Sequence, residues 1–275
     1  MKPAPFDYIR ASGIGEVHDL LAVEGPDARI LAGGQTLMPM LSMRLARPKT
    51  LIDITHIQEL SRLGVERDVI RVGAAVRQAQ LMNMFELVNV QPLLAKILPW
   101  VGHAQTRSRG TVCGSIAHAD PSAELPLALV ALGGEVQLSA RGGRRRVAAE
   151  KFFTGMMGTL RGDDEVIDSV TFPVRRPGYG YAFREFGRRH GDFAIVACAA
   201  VAGKTGVRLA VGGVADRPVA RDFNDSNGRE LDDALDMFAW DLDARDDLHA
   251  TAAYRRGLVR AVGRAVIEEA RQCRA

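Results

Sequence analysis

Arg29-Ile30-Leu31-Ala32-Gly33-Gly34-Gln35-Thr36-Leu37 is a short apolar run that enters two glycines and then a helix start. The apolar residues read as a buried strand, and helical spacing takes over from about Leu37. Glycine at such a junction leaves backbone N–H groups with no Cβ in front of them, an arrangement that attracts phosphate oxygens. Gln35 and Thr36 can supply further hydrogen bonds. Two readings stand side by side at this point: a phosphate-binding turn, or a left-handed turn that needs glycine for geometry alone.

Working outward, Ile14, Val17, Leu20 and Leu21 have helical spacing and Gly25 closes that helix, while Leu51-Ile52-Asp53-Ile54 reads as a second strand. Residues 1–56 are thus expected to form a small α/β lobe built around the glycine turn. Over 57–172 the pattern mixes strands at 69–72, 135–139 and 166–170 with helices near 77–85 and 92–98. Pro173, Pro177, Gly178 and Gly180 then punctuate a boundary. The remainder, 173–275, reads as an α+β domain with three strands (181–186, 194–201, 207–211) and a long amphipathic helix from about Thr251 to Arg271. The expectation is an α+β protein in three lobes.

A second stretch carries comparable chemistry. Arg107-Ser108-Arg109-Gly110-Thr111-Val112-Cys113-Gly114-Ser115-Ile116 reads as a loop of small residues with hydroxyls at Thr111 and Ser115, and Glu124 follows just before an apolar helix. Two phosphate-grade loops in one chain suit a ligand with a long diphosphate body, gripped between lobes. Glu124 can bind ribose or ribityl hydroxyls by charge-assisted hydrogen bonds, or complement a helix N-terminus, and both can hold at once.

Other classes fare poorly. Gly13-Ile14-Gly15 has His18 where a Rossmann fingerprint needs its third glycine, and no GxxxxGK[ST] loop occurs. Ser115 lacks a GxSxG elbow. His118 with Asp120 and His190 with Asp192 are conceivable acid–base pairs, and His103 and His249 stand alone. Cys113, Cys198 and Cys273 are odd in number and far apart, fitting neither a disulfide framework nor a metal cluster. A net charge of +3 gives no case for nucleic acid. The basic knot of Arg141, Arg144, Arg145 and Arg146 contains Gly142 and Gly143 and reads as a solvated hairpin tip rather than a polyanion site. No apolar run reaches bilayer length, and Met1-Lys2-Pro3-Ala4-Pro5-Phe6-Asp7 lacks a signal peptide's apolar core, so a cytoplasmic location is expected.

Several blocks, taken in order, resemble one family. They are Ala32-Gly33-Gly34-Gln35-Thr36-Leu37-Met38-Pro39, Gly110-Thr111-Val112-Cys113-Gly114-Ser115, the run from Ala117 through Glu124 to Pro126, and Arg188-Arg189-His190-Gly191-Asp192-Phe193. Gly212-Gly213-Val214-Ala215-Asp216-Arg217-Pro218 and Asp246-Asp247-Leu248-His249-Ala250, followed by Tyr254-Arg255-Arg256, extend the likeness. The chain is similar to the FAD-binding medium subunit of the carbon monoxide dehydrogenase and xanthine dehydrogenase group of molybdenum hydroxylases.

That resemblance implies a two-lobed FAD-binding fold of the vanillyl-alcohol-oxidase type, followed by the family's C-terminal domain. It implies that Ala32, Gly33, Gly34, Gln35, Thr36 and Leu37 bind the FAD diphosphate, and that Thr111, Val112, Cys113, Gly114 and Ser115 form a second FAD segment. Glu124 falls where the family has an acidic flavin ligand, and Phe193 where an aromatic side chain lies near the isoalloxazine. Two departures are Cys113, where relatives usually carry glycine, and Ser108, where they usually carry asparagine. The implied partners are a large molybdopterin subunit and a small [2Fe–2S] subunit, assembled as a dimer of heterotrimers. Electrons arrive from the clusters and FAD passes them to an external acceptor, with no catalytic acid or base in this chain. A self-sufficient FAD-dependent oxidase or reductase with the same grip, and a scaffold that has lost FAD, are the alternatives.

Overall fold

A computed structural model describes residues 2–274 of the chain. The first sheet is wholly parallel. Strand β1 (Asp7–Arg10), helix α1 (Ile14–Glu24), strand β2 (Ala28–Leu31), helix α2 (Leu37–Ser42) and strand β3 (Thr50–Asp53) follow one another, and the strands lie in the order β1-β3-β2. Parallel neighbours need crossovers, which the two helices provide. Val17 and Leu21 bury one face of α1, and Gly25, at φ 53°, ends the helix by donating its N–H to Leu21 O. The helix spacing and the glycine stop are thus as the sequence implies.

The middle sheet is antiparallel. It comprises β4 (Leu63–Glu66), β5 (Val69–Gly73), β6 (Glu135–Ala140), β7 (Gly143–Ala148) and, after a small hairpin of β8 (Phe153–Gly155) and β9 (Gly158–Thr159), β10 (Val166–Pro173). The order is β4-β5-β10-β6-β7, so β10 is central and its Phe172 is fully buried. Between β5 and β6 the chain makes short helices: α3 (Gln78–Met82), α4 (Leu87–Val90), α5 (Pro92–Ile97), α6 (Ala104–Arg109), α7 (Val112–His118) and α8 (Glu124–Leu132). Helix α8 is buried from Glu124 to Ala131, as its all-round apolar sequence requires. It packs on β10 on one side and on the C-terminal sheet on the other.

That last sheet runs β11 (Gly180–Phe186), β12 (Val196–Ala202), β13 (Gly206–Gly212) and β14 (Val219–Asn224) in consecutive antiparallel order. It has four strands, one more than the sequence suggests. Arg221 and Asp222 interrupt the apolar alternation of β14 and hide it. In the fold they pair with Asp241 and Arg208 on the outside of an edge strand. Ala197 and Ala199 face the middle domain, whereas Cys198, Ala200 and Ala202 face α10 (Gly228–Asp241) and α11 (Ala252–Gln272), the terminal helices numbered after the short α9 (Ala149–Phe152).

Lobes one and two are joined by a polar chain: His18 Nε2 lies 2.8 Å from Ser139 Oγ, which donates to Asp168 Oδ1 at 2.5 Å. Since the hydroxyl proton is used on Asp168, the His18 nitrogen is the donor to Ser139. Of the basic knot expected at a hairpin tip, only Arg141 lies in the turn between β6 and β7; Arg144, Arg145 and Arg146 lie on β7 itself, and the charges are answered locally. Arg145 makes a bidentate pair with Glu165 (2.6 and 2.7 Å), Arg144 lies 3.3 Å from Asp168, and Arg141 lies 3.4 Å from Asp19. Phe172→Ala on the central strand should lower stability by about 3–5 kcal/mol, read as the shift of a urea unfolding curve.

Candidate functional site

Between β2 and α2, the chain turns at Gly34, whose φ is 68°. Gln35 Nε2 donates to Gly33 O at 3.2 Å, and Met38 N to Gly34 O at 3.0 Å begins the helix. The backbone N–H groups of Gly33, Gly34, Gln35 and Thr36 donate to no protein acceptor among the described residues. They form a row of donors free of protein acceptors on a half-exposed turn.

The second segment is pinned from behind. Gln78 N donates to Gly110 O at 2.8 Å and Val112 N to Val76 O at 3.1 Å, tying it to the chain leaving β5. It is a helix start rather than the open loop expected from its small residues. Thr111 caps α7, its Oγ1 accepting from Gly114 N at 3.0 Å, and this N-cap chemistry is what turns the run helical. Helical backbone settles the two departures as well. Cys113 has no positive φ to adopt. Its side chain lies in the core, with Sγ 3.5 Å from Val72 O, and burial pushes the thiol up to about 12. A thiol so raised is a poor nucleophile. Ser108 Oγ donates to Gln105 O at 2.7 Å within α6.

The two segments meet at Gly33. A Cβ there would lie 2.5 Å from Arg109 O, 2.6 Å from Gly110 Cα and 2.8 Å from Thr111 N. These are backbone atoms that cannot swing aside, so only glycine lets the two turns close on each other. Gly110, which faces Gly33, went unmarked in the sequence as a contact because only its partner's position makes it one.

Glu124 opens α8 and is 4% exposed. Burial pushes its carboxyl up to about 8, helped by negative potential from Glu185 and Asp120 and opposed by its own backbone N–H. Glu185, on β11, is raised to about 7 by burial. Phe193 stands 62% exposed on the loop from β11 to β12. That loop is held at its base by Ile195 N donating to Phe186 O at 2.9 Å, and near its tip by His190 stacking on Trp100 at 4.8 Å between ring centroids. His190 is therefore engaged with a ring. Asp120 Oδ1 accepts from Ser122 N at 2.8 Å in a local turn. These contacts make His190 and Asp120 parts of loop scaffolding. A cavity of about 420 Å³ lined by Gln91, Tyr179, Tyr181 and Phe223 lies at the far end of the C-terminal strands from Phe193.

Two glycine turns closed backbone to backbone, with free donors on one of them, have the make-up of a dinucleotide-binding protein. The comparisons specify which. Residues 4–175 match the family model described as the FAD binding domain in molybdopterin dehydrogenase, and residues 181–270 the CO dehydrogenase flavoprotein C-terminal domain. The nicotine 6-hydroxylase medium subunit of Paenarthrobacter nicotinovorans is 37% identical, over 98% of this chain and 99% of its own. Among solved structures, carbon monoxide dehydrogenase from Hydrogenophaga pseudoflava superposes with a TM-score of 0.95 at 31% identity, covering 100% of both chains. Quinoline 2-oxidoreductase from Pseudomonas putida 86 does so with 0.91 at 32%, covering 99% of both. The chain belongs to the FAD-binding medium subunits of the molybdopterin dehydrogenases, and its cofactor is FAD. Among the described residues, no helix is long and apolar enough to cross a membrane.

Two outcomes are expected. A carboxyl raised in the fold makes the folded chain bind its proton more tightly than the unfolded chain does. The Glu124 contribution to stability is thus full below the unfolded value of 4.5 and is lost as pH rises through about 8. Melting temperatures of the FAD-free chain should fall between pH 5 and about pH 8, and less steeply in Glu124→Gln. Thiol titration of the native chain should count only Cys273, the exposed cysteine, with Cys113 and Cys198 reacting after unfolding.

Proposed function

We propose that this chain holds one non-covalent FAD across the junction of lobes 1–56 and 57–172 and relays electrons between subunits of a molybdenum hydroxylase. The observation that carries the reading is the backbone contact of Gly33 with Gly110 and Thr111, which sets unsatisfied amides beside a second, capped segment. The N–H groups of Gly33, Gly34, Gln35 and Thr36 bind the diphosphate, with Ala32 and Leu37 framing the turn. Of the second segment, half-exposed Gly114 and Ser115 face the cofactor, with Thr111, Val112 and Cys113 buried behind them as its support. Glu124 accepts hydroxyl donors of the flavin's sugar-like chain, and Phe193 covers the ring.

FAD supplies the two-electron to one-electron chemistry; the protein's part is to place it and exclude water around it. The electrons come from [2Fe–2S] clusters in a small partner subunit, fed by a large molybdopterin subunit, and leave to an external acceptor. A dimer of heterotrimers in the cytoplasm is the assembly proposed, with 173–275 backing the flavin lobes.

Gly33→Ala is the sharpest test, because the added methyl meets immovable backbone at 2.5–2.8 Å and must part the two segments. The variant should fold and yet emerge colourless, with no flavin absorption recovered on adding FAD. A yellow Gly33→Ala protein with unchanged FAD affinity would overturn the site. Reduction of the flavin by an organic substrate should require the copurifying subunits.

A further inference from the structure

Helix α11 carries a charged residue in register with its apolar stripe. Arg255 is 4% exposed and aligns with buried Val259, Val266 and Ala270 on the face turned to the C-terminal sheet. A guanidinium there needs partners for its N–H groups, since burying it unpaired is costly. Its two terminal nitrogens find them in an informative place, while Nε has no partner among the described residues. Nη1 donates to Ile195 O at 2.7 Å and to Gly213 O at 2.5 Å, and Nη2 donates to Asp247 Oδ2 at 2.5 Å.

Both carbonyls belong to segments that run to the flavin site. Ile195 follows Phe193 by two residues, and its N–H closes the base of that loop on Phe186 O. Gly213 donates its own N–H to Pro121 O at 2.8 Å, three residues before Glu124. Gly213 sits at φ 80°, and a Cβ on it would lie 2.8 Å from Ile195 O and 2.9 Å from Ala194 O. Bare glycine backbone thus brings the two carbonyls together, and one nitrogen bridges them. Asp247 is fixed in turn: its Oδ1 accepts from His249 N at 2.8 Å and Ala250 N at 3.0 Å, leaving Oδ2 for the guanidinium.

We propose that Arg255, anchored by Asp247, is a positioning residue of the flavin site: it sets the Phe193 loop and the segment leading to Glu124 at a fixed separation. This rests on the placement of Phe193 and Glu124 at FAD put forward above. Arginine suits the task because its planar fork spans carbonyls and carboxylate at once, whereas the three N–H bonds of lysine radiate from one nitrogen and do not reproduce that spread or its fixed directions. The consequence is that a residue in the C-terminal domain, touching no part of the cofactor, governs how tightly and in what geometry the ring is held.

The test uses Arg255→Lys, Asp247→Asn and Val259→Ala in the complete chain purified with its native partners. Val259 is fully buried on the same helix and reports a loss of packing alone. FAD affinity is read by fluorescence titration after reversible removal of the flavin, and ring environment by visible circular dichroism of the bound flavin. Arg255→Lys should weaken FAD binding by about tenfold or more and alter the flavin dichroism, with Asp247→Asn shifting both in the same direction. Val259→Ala should lower the melting temperature and leave both signals unchanged. If Arg255→Lys and Asp247→Asn keep FAD affinity within about twofold of wild type, with unaltered dichroism, Arg255 is only a structural strut and the proposal falls. Should Arg255→Lys not fold, Asp247→Asn decides alone, since it keeps the guanidinium and removes its anchor. Gly33→Ala separates the two levels: colourless Gly33→Ala beside normal Arg255→Lys overturns this inference alone, whereas yellow Gly33→Ala overturns the site itself.

Discussion

The site depends on a backbone-to-backbone approach that only one residue type permits. With Gly33 against Arg109 O, Gly110 and Thr111 N, two loops from different lobes share a boundary with no side chain between them. Lobe one is held to lobe two by the His18–Ser139–Asp168 chain, and the second segment is stitched to residues 76–78 from behind. The turn from Gly33 to Thr36 leaves its amides free of protein acceptors, and these are the donors proposed above for the diphosphate.

The same logic governs charge. Glu124 sits at the start of a helix buried on all sides, so the protein carries a carboxyl where water cannot stabilise it, with Glu185 and Asp120 adding to its cost of ionisation. At the surface the pattern is reversed. The arginines of the β6–β7 hairpin are individually matched to carboxylates, the Arg141–Asp19 pair exposed and the partners of Arg144 and Arg145 largely buried, which offsets the local positive charge.

The C-terminal domain reads best as a scaffold for the flavin lobes. Its sheet packs on α8, the helix that bears Glu124, and its β11–β12 loop bears Phe193. The small side chains of β12, all alanine, valine or cysteine, allow helices to approach both faces closely. Arg255 then ties that loop to the segment before Glu124 through the carbonyls of Ile195 and Gly213.

Much of this was open to reading from residues alone, because the signals are local. Strand-to-glycine-to-helix at residues 28–37, the Gly25 stop and the apolar runs of β10, β12 and β13 are written in neighbouring side chains and their period. Ordered blocks such as Ala32-Gly33-Gly34-Gln35-Thr36 and Gly110-Thr111-Val112-Cys113-Gly114-Ser115 also carried the family. What local pattern misjudged was decided by partners distant in sequence. Strand β14 was hidden because its charged residues find Asp241 and Arg208 only after folding. The small residues of the 112–118 helix are ambiguous in sequence until Thr111 caps it. Which glycine meets which backbone, and that Arg255 turns inward to two carbonyls and Asp247, are facts of tertiary structure. They depend on where chain segments tens of residues apart come to rest, and no periodicity records that.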